Sequence, residues 1–163
     1  MKKIILSLSI LFLITGNVFS AGSSSSDDNA KTKSNYEKAV THIEAAKKHE
    51  KKGKLEKANK RYAKAQGLLI KSNNKKPNDA DTLNYLGFTT RKLGDYENGE
   101  KYYLQGLALE PNHIGINEYL GELYVATNRI DLAKERLKIL ANCNCEEYNE
   151  LREIINGSKK SKY

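Results

Sequence analysis

The chain has 163 residues, a formal net charge of +8, 39% hydrophobic and 29% charged residues, two cysteines and no tryptophan. Once a polar N-terminal stretch is set aside, that length leaves room for one domain with a modest core and for no second globular domain. The only two cysteines can pair with each other in an oxidising compartment, and the positive charge admits nucleic acid, anionic lipid or an acidic polymer as a partner class.

In chain order, Lys2 and Lys3, the apolar run Ile4 to Ile14, and Val18-Phe19-Ser20-Ala21 form a basic end, a hydrophobic segment and a small-residue cleavage site. This reads as a secretory signal peptide over residues 1–20. The rival reading is an uncleaved anchor, against which the apolar run falls well short of about 20 residues. No cysteine follows the run to accept a lipid. Cleavage after Ser20 predicts an exported protein, periplasmic in a Gram-negative host and secreted otherwise, with membrane-surface contact open to it but no integral span. Residues 21–34, AGSSSSDDNAKTKS, lack apolar periodicity and are expected to form a disordered leader.

From Asn35 onward the apolar residues fall at helical spacing. The clearest unit is residues 80–113. Leu83, Leu86, Thr90 and Leu93 share one stripe, Gly94-Asp95 breaks the helix, and Tyr96, Tyr103, Leu107 and Leu109 resume the pattern before Pro111. A shift of 34 residues maps Leu86-Gly87 onto Leu120-Gly121, with Asn117 and Tyr124 at the flanking places, Ala133-x3-Leu137 in the second helix, and Asn128 where Gly94 stood. A more divergent copy precedes them: His42-x2-Ala45-Ala46-x2-His49, a turn at Gly53-Lys54, and Ala58-x3-Tyr62. It lies 41 residues upstream, and the seven extra residues, about two helical turns, predict a second helix extended through about Ser72.

Leu83-x2-Leu86-Gly87-x2-Thr90, Gly99-x3-Tyr103 and Pro111 resemble the tetratricopeptide repeat (TPR), with Leu, Thr and Gly in place of the family's Trp, Tyr and Ala. The resemblance covers Asn35 to Cys145 and implies an all-α solenoid of about three helix-turn-helix repeats, over residues 39–79, 80–113 and 114–147, within a domain spanning 35–157. Helices are expected near 35–52, 54–73, 79–93, 95–109, 113–127, 130–142 and 145–156. The last carries Tyr148, Leu151, Ile154 and Ile155 at helical spacing and reads as the cap a solenoid needs. Gly87 and Gly99 are expected to let two helices approach closely, and His42 and His49 to lie in or near the core. Residues 158–163 form a basic tail.

Charge is uneven. Lys31 to Lys76 holds 15 Lys or Arg against 4 Glu, whereas Pro77 to Gly157 holds 8 against 14 acidic residues. The lysines are either the solvated faces of two helices or a docking surface. Nucleic acid is a poor match for an exported chain whose basic stretch holds only two aromatic residues, Tyr36 and Tyr62. Cys143-Asn144-Cys145 admits a disulfide, free thiols, or metal or redox chemistry; a metal would need further ligands, and His42, His49 and His113 have no matching spacing. Neither metal nor cofactor is expected. Nucleophile elbows, zinc-protease helices and phosphate loops are absent from the sequence, so no catalytic residues are assigned and no enzyme is expected.

The reading is therefore a non-enzymatic module for protein–protein contact in the cell envelope, with anionic lipid or polymer bound through the basic first repeat as the alternative. By resemblance to the family, the first helix of each repeat lines a groove for a peptide or helix. The groove positions are Ile43, Lys47 and Glu50 in the first repeat, Asn84, Phe88 and Arg91 in the second, and Glu118, Glu122 and Val125 in the third. That order predicts a groove running from basic and apolar to acidic. Ile43 and Glu44 stand where the family's carboxylate clamp wants Lys and Asn, which argues against recognition of a C-terminal carboxylate. Phe88 is either the anchor for a partner or a ring packed between repeats.

Overall fold

The computed structural model describes residues 33–161, so the signal peptide, most of the leader, and Lys162 of the tail lie outside the described residues. Among the described residues there are seven α-helices and no strand: α1 Asn35–Glu50, α2 Leu55–Lys75, α3 Ala80–Lys92, α4 Tyr96–Leu109, α5 Ile114–Ala126, α6 Ile130–Leu140 and α7 Glu146–Ile155. Every boundary lies within two residues of its expected place.

Polar side chains cap four of these helices. Ser34, expected in the leader, instead caps α1: its hydroxyl accepts from the Glu37 amide at 3.2 Å, and its own amide donates to the Glu37 carboxylate at 2.7 Å. Asp79 caps α3, accepting from the Thr82 amide at 2.9 Å and the Thr82 hydroxyl at 2.8 Å. Asp95 caps α4 and the His113 ring caps α5. The turn within each repeat needs a left-handed residue. Gly53, Gly94 and Asn128 supply it, with φ of 67°, 95° and 59°. Asparagine tolerates this region better than other side chains, which explains why it can stand in for glycine in the third repeat.

Burial of the Asp79 carboxyl pushes its pKa up, but the Lys76 ammonium and the two Thr82 donors together outweigh that and hold it below the usual aspartate value. A depressed carboxylate pKa contributes stability that is present above the unfolded-state value and is lost as pH falls through the folded-state one. Asp79→Ala should therefore cost about 1 kcal/mol at neutral pH. As pH falls through the lowered folded-state value of Asp79, the gap between the two proteins should shrink in denaturant melts. A penalty that persists there would assign the effect to something other than the carboxylate.

The helices pack as antiparallel pairs, α1 with α2, α3 with α4 and α5 with α6; α2 then packs on α3, α4 on α5, and α7 on both α5 and α6. Ala39, Ile43, Ala46, Ala58, Tyr62, Ala65, Leu69, Leu83 and Leu86 form one core, and Tyr103, Leu107, Ile116, Leu120, Leu123 and Ala133 a second. Leu93, Tyr96 and Leu109, expected to join these stripes, are 37–43% exposed because each sits at a helix end beyond its partner's reach. His42 and His49 are half-buried rather than core.

The helices of the central repeat meet across Gly87. A methyl there would lie 2.5 Å from the Tyr103 ring, closer than any real contact, and one at Gly99 would press on Arg91 at 3.2 Å. Tyr103 is fully buried and has nowhere to retreat. Gly87→Ala should therefore destabilise the fold by about 1–3 kcal/mol in a denaturant melt. An unchanged midpoint would show that the ring can yield. The same arrangement recurs at the end of the solenoid, where Gly121 receives the side chain of Leu151 from α7. Leu151 and Ile154 are buried there, so α7 covers the face that a further repeat would have covered.

Candidate functional site

The odd-numbered helices share one surface. A groove of about 640 Å³ is lined by Glu44, Lys47, Lys48 and Glu50 of α1, Lys51, Leu55, Phe88 and Lys92, Tyr119 of α5 and Glu150 of α7. A smaller hollow of about 230 Å³ continues it between α5 and α7, walled by Glu118, Tyr119, Glu146, Glu147 and Glu150. At the α1 end Lys47, Lys48, Lys51 and Lys92 outnumber Glu44 and Glu50, and at the α7 end carboxylates line the hollow. Beside α1 a separate cavity of about 650 Å³ opens at the other end of the first repeat, with Lys33, Lys75 and Lys76 facing Asp79 and Asp81.

Aromatic rings make the groove floor. The Phe88 ring meets Tyr62 edge-on at 5.7 Å and Tyr119 at 5.0 Å, and it is only 2% exposed. The ammonium of Lys47 sits over both the Phe88 and Tyr119 rings, at 5.0 and 6.0 Å. Lys92 lies against the Tyr62 ring and pairs with Glu50 at 2.5 Å; Glu50 also accepts from the Tyr62 hydroxyl at 2.8 Å. Burial lowers the Lys92 pKa even though its pairing with Glu50 pulls the other way. The Tyr62 and Tyr119 hydroxyls are pushed far above the tyrosine range, chiefly by burial, and stay protonated.

Only part of the sequence-derived set faces this groove. Lys47 and Phe88 line it, Glu50 lines it through its pair, and Glu118 lines the acidic hollow. Ile43 belongs to the core at 1% exposure and Asn84 is buried facing Gly115 at the start of α5. Arg91 and Glu122 are fully buried against each other, with Arg91 Nη2 3.3 Å from Glu122 Oε2. Arg91 also donates to the Tyr119 carbonyl at 2.6 Å, and its guanidinium stacks 6.0 Å from the Tyr103 ring and 5.9 Å from Tyr119. The two charges expected at opposite ends of the groove thus form a single pair holding the second and third repeats together. The charge seen from solvent comes instead from Lys48, Lys51, Glu146, Glu147 and Glu150.

Sequence reasoning missed the contribution of α7. Glu118, Glu122 and Glu150 bring carboxylate oxygens within 4.8 Å of one another, and no spacing rule links a residue of α7 to two of α5. Arg91 pairs with Glu122, and Lys159 pairs with Glu150 at 2.7 Å, so two of the three carboxylates are held by cations of the chain itself. At the turn before α7, Cys143 and Cys145 are joined as a disulfide with Cα atoms 5.2 Å apart.

The described domain is similar in structure to SycD, the type III secretion translocator chaperone of Yersinia enterocolitica, at a TM-score of 0.53 and 14% identity, covering 72% of this chain and 81% of that one. Together with the 34-residue period and the paired helices, that likeness settles the architecture. The fold is a tetratricopeptide-repeat solenoid. Two further TPR structures lie near it. The first TPR of Spaghetti (RPAP3), bound to the HSP90 peptide SRMEEVD, is 21% identical at a TM-score of 0.48 over 76% of this chain and 94% of that one. The Arabidopsis OM64 TPR domain is 12% identical at 0.49, over 77% and 99%. No family model matches the sequence, and no curated protein matches it.

Proposed function

We propose that this TPR domain is a non-enzymatic interaction module that holds an extended segment of a partner protein in the groove of α1, α3, α5 and α7. The observation that carries this reading is the groove itself: an aromatic floor at Phe88 and Tyr119, lysines over α1, and carboxylates at α7. A partner segment with acidic residues toward α1 and basic residues toward α7 gains attraction at both ends, and the reversed segment meets like charge at both. Export through residues 1–20 would place this contact in the cell envelope, either in the periplasm or outside the cell.

The exposed lysines of α2, Lys57, Lys60, Lys64 and Lys71, favour a second reading, in which the first repeat rests on an anionic lipid or polymer. Salt and mutation separate the two. Retention of the partner on the immobilised chain should survive moderate salt, fall with Lys47→Glu and Lys51→Glu together, and be indifferent to Lys57→Glu with Lys64→Glu. The opposite pattern, with binding to anionic vesicles that fades steeply with salt, would support the lipid or polymer reading.

A further inference from the structure

The Cys143–Cys145 bridge is poorly suited to be a structural staple. It closes a loop with one intervening residue, so the chain entropy it removes is small and little stability depends on it. Asn144 inside that loop sits at φ 49°, in the left-handed region that asparagine tolerates better than most residues. Both cysteines are half-exposed, in the turn that leads into the cap helix α7. Half-exposed, weakly stabilising disulfides are the ones that exchange readily.

The position of the second sulfur adds a direction. Cys145 is the N-cap of α7, and as a disulfide its side chain accepts no hydrogen bond there. Released as a thiolate it becomes an anionic acceptor at the N-terminus of a ten-residue helix, where backbone amides and the helix dipole favour negative charge. Opening the bridge therefore supplies α7 with a cap it otherwise lacks. Glu146 and Glu147 in the first turn oppose the thiolate.

We propose that Cys143–Cys145 is a thiol–disulfide exchange centre whose substrate is an accessible peptide or protein dithiol. A substrate thiolate attacks Cys143 Sγ. The bond to Cys145 breaks, with its electron pair leaving on Cys145 Sγ as the thiolate at the head of α7. The second substrate thiolate then attacks the substrate sulfur of the mixed disulfide and expels Cys143 as a thiolate. The two protons of the substrate thiols end on Cys143 and Cys145, so the substrate loses two electrons and the bridge gains them. The reverse sequence reduces a substrate disulfide.

Oxidised glutathione serves as the probe for that reverse direction, with the full chain reduced beforehand and the peptide of residues 142–148 as reference, since the peptide keeps both glutamates but has no helix. Wild type should pass through a transient glutathione adduct to the closed bridge, whereas Cys145→Ser should stop at a stable adduct on Cys143 seen by mass spectrometry. In Cys143→Ser, alkylation of Cys145 should titrate at lower pH than in the peptide carrying the same substitution, and react about threefold faster or more at neutral pH. A wild-type adduct that persists would overturn the proposal. So would a Cys145 that titrates at or above the peptide's value, which would leave α7 no part in the chemistry.

Discussion

Arg91→Ala should lower the unfolding free energy by about 3–5 kcal/mol, the cost of leaving a buried charge without its partner. Arg91 and Glu122 have no exposed side-chain surface, and the arginine also donates to the Tyr119 carbonyl. Truncation would take the guanidinium away from the buried Glu122 carboxylate and open a void beside Tyr103 and Tyr119. Glu122→Leu alone should also be costly, because it takes the carboxylate away from a buried guanidinium that keeps its neutral contacts with Tyr119 and Tyr103. The double substitution Arg91→Met with Glu122→Leu should recover most of the loss, since two apolar side chains need no pairing. Denaturant melts of the three variants provide the check. A loss below about 1 kcal/mol for Arg91→Ala would mean that water reaches the pair and that it does not hold the second and third repeats together.

Phe88→Ala should also cost about 3–5 kcal/mol, as removal of a buried ring usually does. The ring is 2% exposed and wedged between Tyr62 and Tyr119, in the core that joins α1, α2 and α3. A partner lying in the groove would touch the edge of this ring and the side chains above it, chiefly Lys47. Binding should therefore fall with Phe88→Ala because the groove floor collapses, whereas Lys47→Ala should weaken binding at an unchanged melting temperature. If Phe88→Ala melts like wild type and only binding is lost, the ring acts as an anchor for the partner rather than as a joint between repeats.

The architecture was legible because the repeat states it twice. Leu86-Gly87 and Leu120-Gly121 fix the period, Gly94 and Asn128 fix the turns, and the seven extra residues of the first unit lengthen α2 to Lys75 without disturbing its buried face. The groove was legible only in outline. Helical spacing puts Asn84, Phe88 and Arg91 on one stripe, and the equivalent residues of α5 on another. How deeply each stripe is covered depends on the angle between neighbouring helices, which spacing within one helix does not encode. Arg91 and Glu122 therefore read as two groove charges at opposite ends, although their helices bring them together in the interior. The acidic end was hidden for a related reason. Glu146, Glu147 and Glu150 lie on the cap helix, outside the repeat that guided the reading, and face the groove only because α7 occupies the place of a fourth repeat's first helix.

The groove reading stands or falls on where a bound partner touches the domain. Lysine-directed cross-linking of the complex, recovered from cell extract, reports this directly, because the groove and the outer face carry different lysines. Cross-links from the partner should concentrate on Lys47, Lys48 and Lys51, and Lys47→Arg with Lys51→Arg should remove most of them while the complex remains intact. Cross-links confined to Lys57, Lys60, Lys64 and Lys71 on α2, with the groove lysines silent, would contradict the account and move the partner to the outer face.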